Sequence, residues 1–309
     1  MIGAALLALA PVVLLIALGF AMRSRGFLPD GFWPHAERLS YFVLLPALFV
    51  HGLATADLSG VPVAGLGLVL AGTALASGLA LVALRPLLPV DGPAFTSIVQ
   101  GGIRFNNYVG ITMAAGLFGA QGVALAAVAN AVIVPTVNVF CVLVFARYGT
   151  ARPTTGGVLR QLATNPLIVA CAIGAALQAG GLGLPPGLEG ALRALGQASL
   201  PLGLLCVGAA LDFRSARAWT GPIAVASLVK FGLMPGLTFA ACRLMGLDGA
   251  AAAVALIFHT LPTASSSYIL ARQLGGDAPL MAGITAIQTV LAAAALPLAL
   301  AAATAALGR

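Results

Sequence analysis

The sequence predicts an all-α membrane protein with ten transmembrane helices, arranged as two inverted five-helix repeats, with breaks in helices 4 and 9 near the midplane. Three observations predict this fold class. Of the 309 residues, 61% are hydrophobic and only 7% are charged, whereas about 25% are charged in soluble domains. Apolar stretches of about 20 residues, the length of a bilayer crossing, recur along the whole chain. Residues also recur at a fixed spacing in the two halves, and polar groups interrupt one stretch of each half.

The apolar stretches divide the chain into spans, which we number 1 to 10 in chain order. No Lys or Arg precedes span 1, so it lacks the basic region of a cleaved signal peptide and is expected to be retained as a helix. The predicted spans are 2–22, 36–54, 61–84, 93–117, 121–146, 164–182, 190–210, 218–242, 249–271 and 278–307.

Arginines in the connections predict the orientation of the chain, because the side richer in basic residues faces the cytoplasm in membrane proteins. The connections between spans 1–2, 3–4, 5–6, 7–8 and 9–10 are the richer ones. They carry Arg23, Arg25, Arg38, Arg85, Arg147, Arg152, Arg160, Arg214, Arg217 and Arg272, and the opposite side carries Arg193, Arg243 and Arg309. We therefore expect a multi-pass protein of the cell inner membrane with both termini on the extracytoplasmic side.

An internal repeat relates the two halves at an offset of 155 residues (166 − 11). The matching pairs are Pro11 and Pro166, Gly19 and Gly174, Gly26 and Gly181, Leu45 and Leu200, Pro46 and Pro201, and Asp57 and Asp212. Because each unit holds five helices, an odd number, the second copy enters the membrane with opposite orientation. The predicted domains are a first repeat, 1–147, a cytoplasmic linker, 148–163, and a second repeat, 164–309. Inverted repeats are typical of secondary transporters.

The same offset places Asn107 of span 4 on Pro262 of span 9. Pro262 cannot donate a backbone hydrogen bond, and its ring clashes with the preceding turn, so we expect span 9 to break there and free carbonyl groups around His259. Gly101, Gly102 and Gly110 are expected to loosen the backbone of span 4. Discontinuous helices of this kind meet near the midplane of transporters and form the substrate site.

Two cationic side chains, Arg104 and Lys230, lie inside predicted spans, where a charge costs several kcal/mol. Both are candidates for ligand binding or charge compensation. The alternatives are structural: Arg104 could extend toward the cytoplasmic side, and Lys230 could bond a helix carbonyl. Asn106 and Asn107 point to different faces of a helix, so one packing role does not explain both, and we expect at least one to contact substrate.

Other polar side chains of the spans complete the predicted site. The hydroxyls of span 9 could contact substrate or bond their own backbone four residues back. His259 could titrate near neutral pH, or be a buried neutral histidine bonded to nearby backbone. The substrate-binding candidates are Arg104, Asn106, Asn107, Asn130, Pro262, Thr263, Ser265, Ser266 and Gln288, and the candidates for charge compensation or coupling are Lys230 and His259.

The acidic residues all lie in predicted loops or at helix ends, whereas proton-coupled carriers commonly use an intramembrane carboxylate. Basic and amide groups without buried acids favour an anion. The chain has no GxxxxGK[ST] phosphate loop, HExxH zinc motif or GxSxG nucleophile turn, and its cysteines show no ligand spacing. We therefore expect no enzymatic activity, cofactor or metal, and the scattered basic residues predict no nucleic-acid partner.

Six short segments together resemble the auxin efflux carrier family in its short bacterial form. They are YFVLLPALFVHGLA in span 2, IRFNNYVG in span 4, NPLIVACAIG in span 6, LGQASLPLGLLCVGAALDF in span 7, LVKFGLMP in span 8 and LPTASSSYILARQLGGD in span 9. The resemblance covers nearly the whole chain. It implies a scaffold of helices 1, 2, 6 and 7, a mobile transport unit of helices 3–5 and 8–10, and broken helices 4 and 9 that cross beside the binding site.

The resemblance also implies a function. Relatives move organic anions, auxin in plants and dicarboxylates such as malonate in bacteria, and the plant carriers resemble homodimers that operate without ion coupling. The helix-4 amide of the family falls on Asn106 or Asn107, and the crossover proline of helix 9 on Pro262. Many relatives have a proline after the asparagines, where this chain reads YVGITM, and the geometry of the first break is open for that reason.

These observations lead to one main hypothesis: the protein is an alternating-access carrier that exports a small organic anion through the lipid bilayer. We also expect it to form a homodimer. Arg104, Asn106 and Asn107 would meet the carboxylate. A sodium- or proton-coupled symporter on the same fold is the first alternative, with a cation held by carbonyl and hydroxyl oxygens. A membrane ligand sensor that does not transport is the alternative of another class.

Overall fold

The computed structural model describes residues 2–56, 62–150, 156–157, 160, 163–214, 216 and 219–307. Within these ranges the regular secondary structure is entirely helical, which confirms the all-α prediction. Most of the predicted linker 148–163 lies outside the described residues, as do Asp57, Arg152, Arg217 and Arg309.

Thirteen α-helices account for most of the part of the chain that the structure describes. They are α1 Ile2–Ser24, α2 Phe32–Leu39, α3 Leu45–Ala54, α4 Val63–Leu84, α5 Gly92–Ile103, α6 Asn107–Tyr148, α7 Pro166–Ala179, α8 Pro186–Ala209, α9 Thr220–Leu228, α10 Met234–Met245, α11 Gly249–Thr260, α12 Ser266–Leu274 and α13 Ala278–Leu307. A five-residue π-helical turn joins α2 to α3 at Ser40–Leu44, and another joins α9 to α10 at Val229–Leu233.

Several of these helices are long and apolar enough to cross a bilayer. In the described ranges there are 6 such stretches, Leu7–Ser24, Val63–Leu87, Gly92–Tyr148, Pro186–Ala209, Thr220–Met245 and Ala278–Ala301. Two shorter apolar helices are Pro166–Ala179 and Gly249–Thr260. The chain is therefore a multi-pass membrane protein, as predicted. The count of ten crossings stays a prediction, because α7 and α11 are shorter than a span and predicted spans 4 and 5 share one continuous stretch.

Helix α6 is kinked at Gly119, where the predicted spans 4 and 5 meet. The backbone of Gly119 has φ 56° and ψ −135°, a conformation outside the helical region. Residues with a Cβ rarely adopt this conformation, so glycine is required for the chain to change direction here.

The described residues pack as two compact units, each drawing on both halves of the chain. Unit 1 comprises Met1–Val63, Asn107–Ala131 and Leu162–Ala210, and unit 2 comprises Ala64–Asn106, Val132–Gln161 and Leu211–Arg309. Unit 1 therefore contains α1–α3, the first part of α6, α7 and α8. Unit 2 contains α4, α5, the rest of α6 and α9–α13.

In unit 1, α1 packs directly on α8 through small residues. A Cβ added to Gly208 would collide with the backbone of Ile16, and one added to Gly19 would collide with that of Leu205. Arg23, in the last turn of α1, donates a 2.6 Å hydrogen bond from its guanidinium to the carbonyl oxygen of Ala209. This bond satisfies a carbonyl at the C terminus of α8 and joins the two helices at their ends.

In unit 2, α5 is strongly enclosed, with every residue from Ala94 to Ile103 buried. The predicted loosening by Gly101 and Gly102 is wrong, because both residues are helical. They instead admit close neighbours: a Cβ on Gly101 would meet Ile284 of α13, and one on Gly102 would meet Leu81 of α4. Small residues let neighbouring helices approach closely in membranes, which explains the enclosed position of α5.

Candidate functional site

Two non-helical segments of unit 2 lie in direct contact. Helix α5 ends at Ile103 and α6 begins at Asn107, and helix α11 ends at Thr260 and α12 begins at Ser266. The backbone N–H of Asn106 donates a 2.9 Å hydrogen bond to the carbonyl oxygen of Pro262. The polar segments that the sequence singled out, 104–106 and 261–265, are thus bonded to each other.

The local sequence explains why the helices end at these points. Leu261, which precedes Pro262, has φ −67° and ψ 148°, the extended conformation that a following proline imposes. Arg104 has φ −74° and ψ 161° without a proline after it, and its N–H still donates to the carbonyl oxygen of Gln100. The first segment is therefore held extended by its contacts with the rest of unit 2.

Arg104 forms the centre of a polar cluster. Its Nε donates to Ser267 Oγ at 3.0 Å, and its Nη1 donates to Asn138 Oδ1 at 2.7 Å. Both partners are neutral, so they fix the guanidinium without cancelling its charge. Of the described ion pairs, Arg23–Asp30, His51–Glu189 and Arg193–Glu189, none involves Arg104. The guanidinium therefore lacks a carboxylate counter-ion within the described residues.

Gln288 of α13 joins the second segment to the last turn of α5 through both atoms of its amide. Its Oε1 accepts from the backbone N–H of Thr263 at 3.0 Å, and its Nε2 donates to the carbonyl oxygen of Gly101 at 3.0 Å. The side chain is fully buried. Gln288 thus forms an interhelical bond, one of the two roles predicted for it, and it satisfies backbone groups that are freed where helices end.

The hydroxyls of the second segment have different surroundings. Thr263 is fully buried, and its Oγ1 lies 3.2 Å from Ser267 Oγ and donates to the carbonyl oxygen of Gln100 at 3.5 Å. Ser265 and Ser266 are half-buried and stand at the start of α12. Unit 2 thus brings together Arg104, Thr263, Gln288, Pro262 and the backbone of Asn106.

Two of the predicted amides belong to unit 1. Asn107 is the first residue of α6, and its Oδ1 is buried with no hydrogen-bond partner in the described protein. Asn130 lies further along the same helix. It donates from Nδ2 to the carbonyl oxygen of Ala126 at 2.8 Å, and its Oδ1 also lacks a described partner. Each of these amides has an acceptor to offer a ligand.

Lys230 and His259 lie elsewhere in unit 2 and are fully or almost fully buried. The Lys230 ammonium donates to Met234 Sδ at 3.4 Å. His259 Nδ1 lies 2.7 Å from Thr238 Oγ1 and 2.9 Å from Thr73 Oγ1. The hydrogen-bond partners of His259 are therefore threonine hydroxyls, whereas the sequence had suggested a buried neutral histidine bonded to nearby backbone.

Three polar residues of this region were not among the predicted site residues. Asn138 and Ser267 bind Arg104 directly, and Gln100 is fully buried with neither side-chain atom hydrogen-bonded in the described protein. The signal for Gln100 was its spacing, because it stands one helical turn before Arg104.

Unit 1 contains a separate cavity of about 550 Å³ that none of the predicted site residues lines. Its polar lining includes His51, Gln121 and Arg193. Glu189 lies beside this lining, 2.6 Å from Arg193 and 3.9 Å from His51 Nε2. Glu189 is paired with Arg193, the arginine of this lining, so this cavity is a poorer anion site than the surroundings of Arg104.

Comparison with known proteins identifies the family. The sequence profile of the family described as "Membrane transport protein" matches residues 4–300. A protein of Methanothermobacter thermautotrophicus, named as an uncharacterized transporter, is 23% identical over 298 residues, which cover 93% of this chain and 94% of that protein. The family and this relative both point to a transporter. The chain therefore belongs to the membrane transport protein family, and the resemblance to auxin efflux carriers noted in its motifs is confirmed.

Proposed function

We propose that this transporter is an alternating-access carrier that exports small organic anions such as carboxylates or auxin-like acids. The observation that carries the proposal is Arg104, a guanidinium without a carboxylate partner among the described residues, held where two helices end. A charge inside a transmembrane segment is costly and is retained where it serves a ligand. A carboxylate is the ligand that matches its charge.

The geometry of Arg104 suits a carboxylate. A guanidinium has five N–H donors in a planar fork, and the described bonds from Nε and Nη1 leave donors for a ligand. Charge-assisted hydrogen bonds of this type are about twice as strong as neutral ones. Ser267 and Asn138 act as positioning residues, because they hold the fork in one orientation and contribute no negative charge.

The start of α12 supports the same ligand. Ser265 and Ser266 open this nine-residue helix directly after the second non-helical segment. The N terminus of a helix carries a partial positive charge and favours anions. In the proposed site, which lies in unit 2, Arg104 binds the carboxylate, while Asn106 and the two serines bind the polar groups of the substrate. Pro262 and Thr263 shape the second segment, and Asn107 and Asn130 of unit 1 stay predicted substrate ligands.

The proposed architecture is two inverted five-helix repeats whose fourth and ninth helices are broken and cross near the midplane. The hydrogen bond from Asn106 to Pro262 supports the crossing. The packing of α1–α3, α7 and α8 in one unit and of α4, α5 and α9–α13 in the other supports a scaffold and a mobile transport unit. We further propose a homodimer in the cell inner membrane, with extracytoplasmic termini, from the resemblance and the distribution of arginines.

Counterflow in proteoliposomes tests the proposal, with radiolabelled malonate and indole-3-acetate as probes. We expect Arg104→Gln to weaken transport by roughly 10- to 100-fold, because a hydrogen bond to a charged group contributes about 1.5–3 kcal/mol. Arg104→Lys should recover only part of the loss, since an ammonium lacks the planar fork. Arg272→Gln is the matched control, because Arg272 is exposed on α12.

Three results would contradict parts of the proposal. Equal counterflow by Arg104→Gln and the wild type, with both proteins folded, would show that the site is elsewhere. Saturable binding of a probe without any counterflow would support the membrane sensor instead. Strict dependence of counterflow on sodium would support a sodium-coupled symporter.

A further inference from the structure

The cavity of about 550 Å³ in unit 1 is not used by the proposed anion site. Its lining comes from three elements, the end of α3, the part of α6 that follows the kink at Gly119, and the first half of α8. All three belong to unit 1. Because none of the predicted site residues lines this cavity, the proposed function gives it no role.

The elements that line the cavity each end or bend close to it. Helix α3 ends at Ala54, α6 bends at Gly119, and α8 begins at Pro186. The distribution of arginines predicts that the connections at these three points all lie on the extracytoplasmic side. Membrane-crossing segments end at the level of the lipid headgroups, so we expect the cavity to begin at the boundary between water and hydrocarbon.

The lining is polar near the helix ends and mostly apolar farther along the helices. The polar residues near the ends are Thr55, Gln121 and Arg193. The residues farther along are Leu48, Gly52, Val123, Ala124 and Gly196, with Gln197 as the polar exception. Gly196 lies ten residues (196 − 186) into α8, which is about 15 Å at the rise of a helix. A ligand with a polar head and an apolar tail matches this order.

The charged groups beside the cavity are one guanidinium and one carboxylate. Arg193 Nη2 donates to Glu189 Oε1 at 2.6 Å, and both side chains are partly exposed, Arg193 at 55% and Glu189 at 34%. His51 Nε2 lies 3.9 Å from the same carboxylate oxygen and is buried without a hydrogen-bond partner in the described protein. The bond between Arg193 and Glu189 leaves further guanidinium donors and the second carboxylate oxygen for a ligand.

A pair of opposite charges matches a ligand that carries both signs. Phosphoethanolamine has a phosphate, which a guanidinium binds well, and a primary ammonium with three N–H donors for a carboxylate. In phosphatidylethanolamine this headgroup is joined to acyl chains. Helix α8 also offers apolar surface to a bilayer, because Leu188 and Leu195 are 51% and 39% exposed. A lipid of the surrounding bilayer therefore supplies both the charges and the apolar tail.

We propose that this cavity binds a phospholipid with a phosphoethanolamine headgroup. Its ammonium binds Glu189, its phosphate binds Arg193, and one acyl chain lies along the apolar part of the lining. The cavity is then a second binding site of the protein, for a membrane lipid and not for the transported anion. The inference is independent of the proposed function, because no residue of the proposed anion site takes part. Bound lipid stabilises the folded unit 1, as any ligand of the native state does.

Native mass spectrometry of the full-length protein in detergent tests the inference. Phosphatidylethanolamine, phosphatidylcholine and phosphatidylglycerol with identical acyl chains are each titrated onto the protein. Phosphatidylcholine has a cation without N–H donors, and phosphatidylglycerol has no cation. We expect phosphatidylethanolamine to bind with roughly 2- to 5-fold higher affinity than either of the others, the effect of ion pairs between partly exposed groups.

Substitutions of the charged pair locate the lipid. Glu189→Gln and Arg193→Gln keep the approximate size of each side chain and remove its charge, and each should abolish the preference for phosphatidylethanolamine. Asp30→Asn is the matched control, because Asp30 is an exposed carboxylate that pairs with Arg23 at 3.3 Å outside the cavity. This variant should keep the preference of the wild type.

Four results would overturn the inference. The first is equal binding of the three lipids by the wild type, a measurement that does not depend on any variant folding. The second is a preference that persists in both Glu189→Gln and Arg193→Gln, which would place the lipid elsewhere. The third is a preference that Asp30→Asn also abolishes. The fourth is displacement of the lipid by an equal concentration of soluble phosphoethanolamine, which would show that the cavity binds a soluble zwitterion and needs no acyl chain.

Discussion

Replacing Gln288 is expected to destabilise unit 2 more than replacing any comparable exposed glutamine. Gln288→Met keeps the length of the side chain and removes both hydrogen bonds, to the N–H of Thr263 and to the carbonyl oxygen of Gly101, each 3.0 Å long. Gln288 is fully buried. The two backbone groups are then left without this partner in a buried site.

The structure gives the size of the effect. Leaving a buried donor or acceptor unsatisfied costs about 1–3 kcal/mol, so the loss of both bonds should lower the free energy of unfolding by about 2–6 kcal/mol. Gln288→Glu retains an acceptor for Thr263 and places a second oxygen opposite the Gly101 carbonyl. It should therefore be at least as destabilising as methionine.

Reversible unfolding in mixed detergent and SDS measures the free-energy difference, and Gln273→Met is the matched control because Gln273 is exposed on α12. Hydrogen exchange adds a local readout, since the amide of Thr263 should lose protection in Gln288→Met. Unfolding free energies of Gln288→Met and Gln273→Met that agree within about 0.5 kcal/mol, the usual range of surface substitutions, would refute the reasoning.

Two further substitutions test other features. Gly119→Ala should lower the free energy of unfolding by about 1–3 kcal/mol, because alanine is strained at φ 56° and ψ −135°. Gly72→Ala is the control, because Gly72 lies within α4 and has open space around an added Cβ. It should be neutral or slightly stabilising in the same detergent–SDS unfolding assay. Gln100→Leu should raise the stability of the ligand-free protein by about 1–3 kcal/mol, since it removes a buried amide without a described partner. Calorimetry of Gln100→Leu should show weaker anion binding, and unchanged affinity would exclude Gln100 from the site.

The sequence was sufficient to predict the all-helical membrane fold and the family. Composition and the recurrence of apolar stretches carry that information, and they do not depend on which helix packs against which. The sequence also located the two polar segments, because Pro262 and the cluster of Arg104 with Asn106 stand out in apolar surroundings. The hydrogen bond that joins these segments lies between backbone groups and has no signature in the side chains.

The partners of individual polar groups could not be predicted in this way. Helices that are apolar on all faces show no periodicity that identifies their buried side, so the sequence does not reveal that Asn138 and Ser267 face Arg104. The π-helical turns were also missed. The one at Val229–Leu233 carries Lys230, and such turns are frequent at functional sites.

The polar residues of unit 2 have two different roles: some satisfy backbone groups of the fold, and one carries a charge that the fold does not need. Where helices end inside a bilayer, freed backbone groups need partners from the protein, because lipid supplies none. Gln288 and Thr263 meet that need with their amide and hydroxyl groups, and their hydrogen bonds would be required in a protein with no ligand. Arg104 is different, because a neutral side chain could satisfy Ser267 and Asn138 at a lower cost of desolvation. The positive charge at this position is the feature that the fold alone does not require, and the anionic substrate that we propose would account for it.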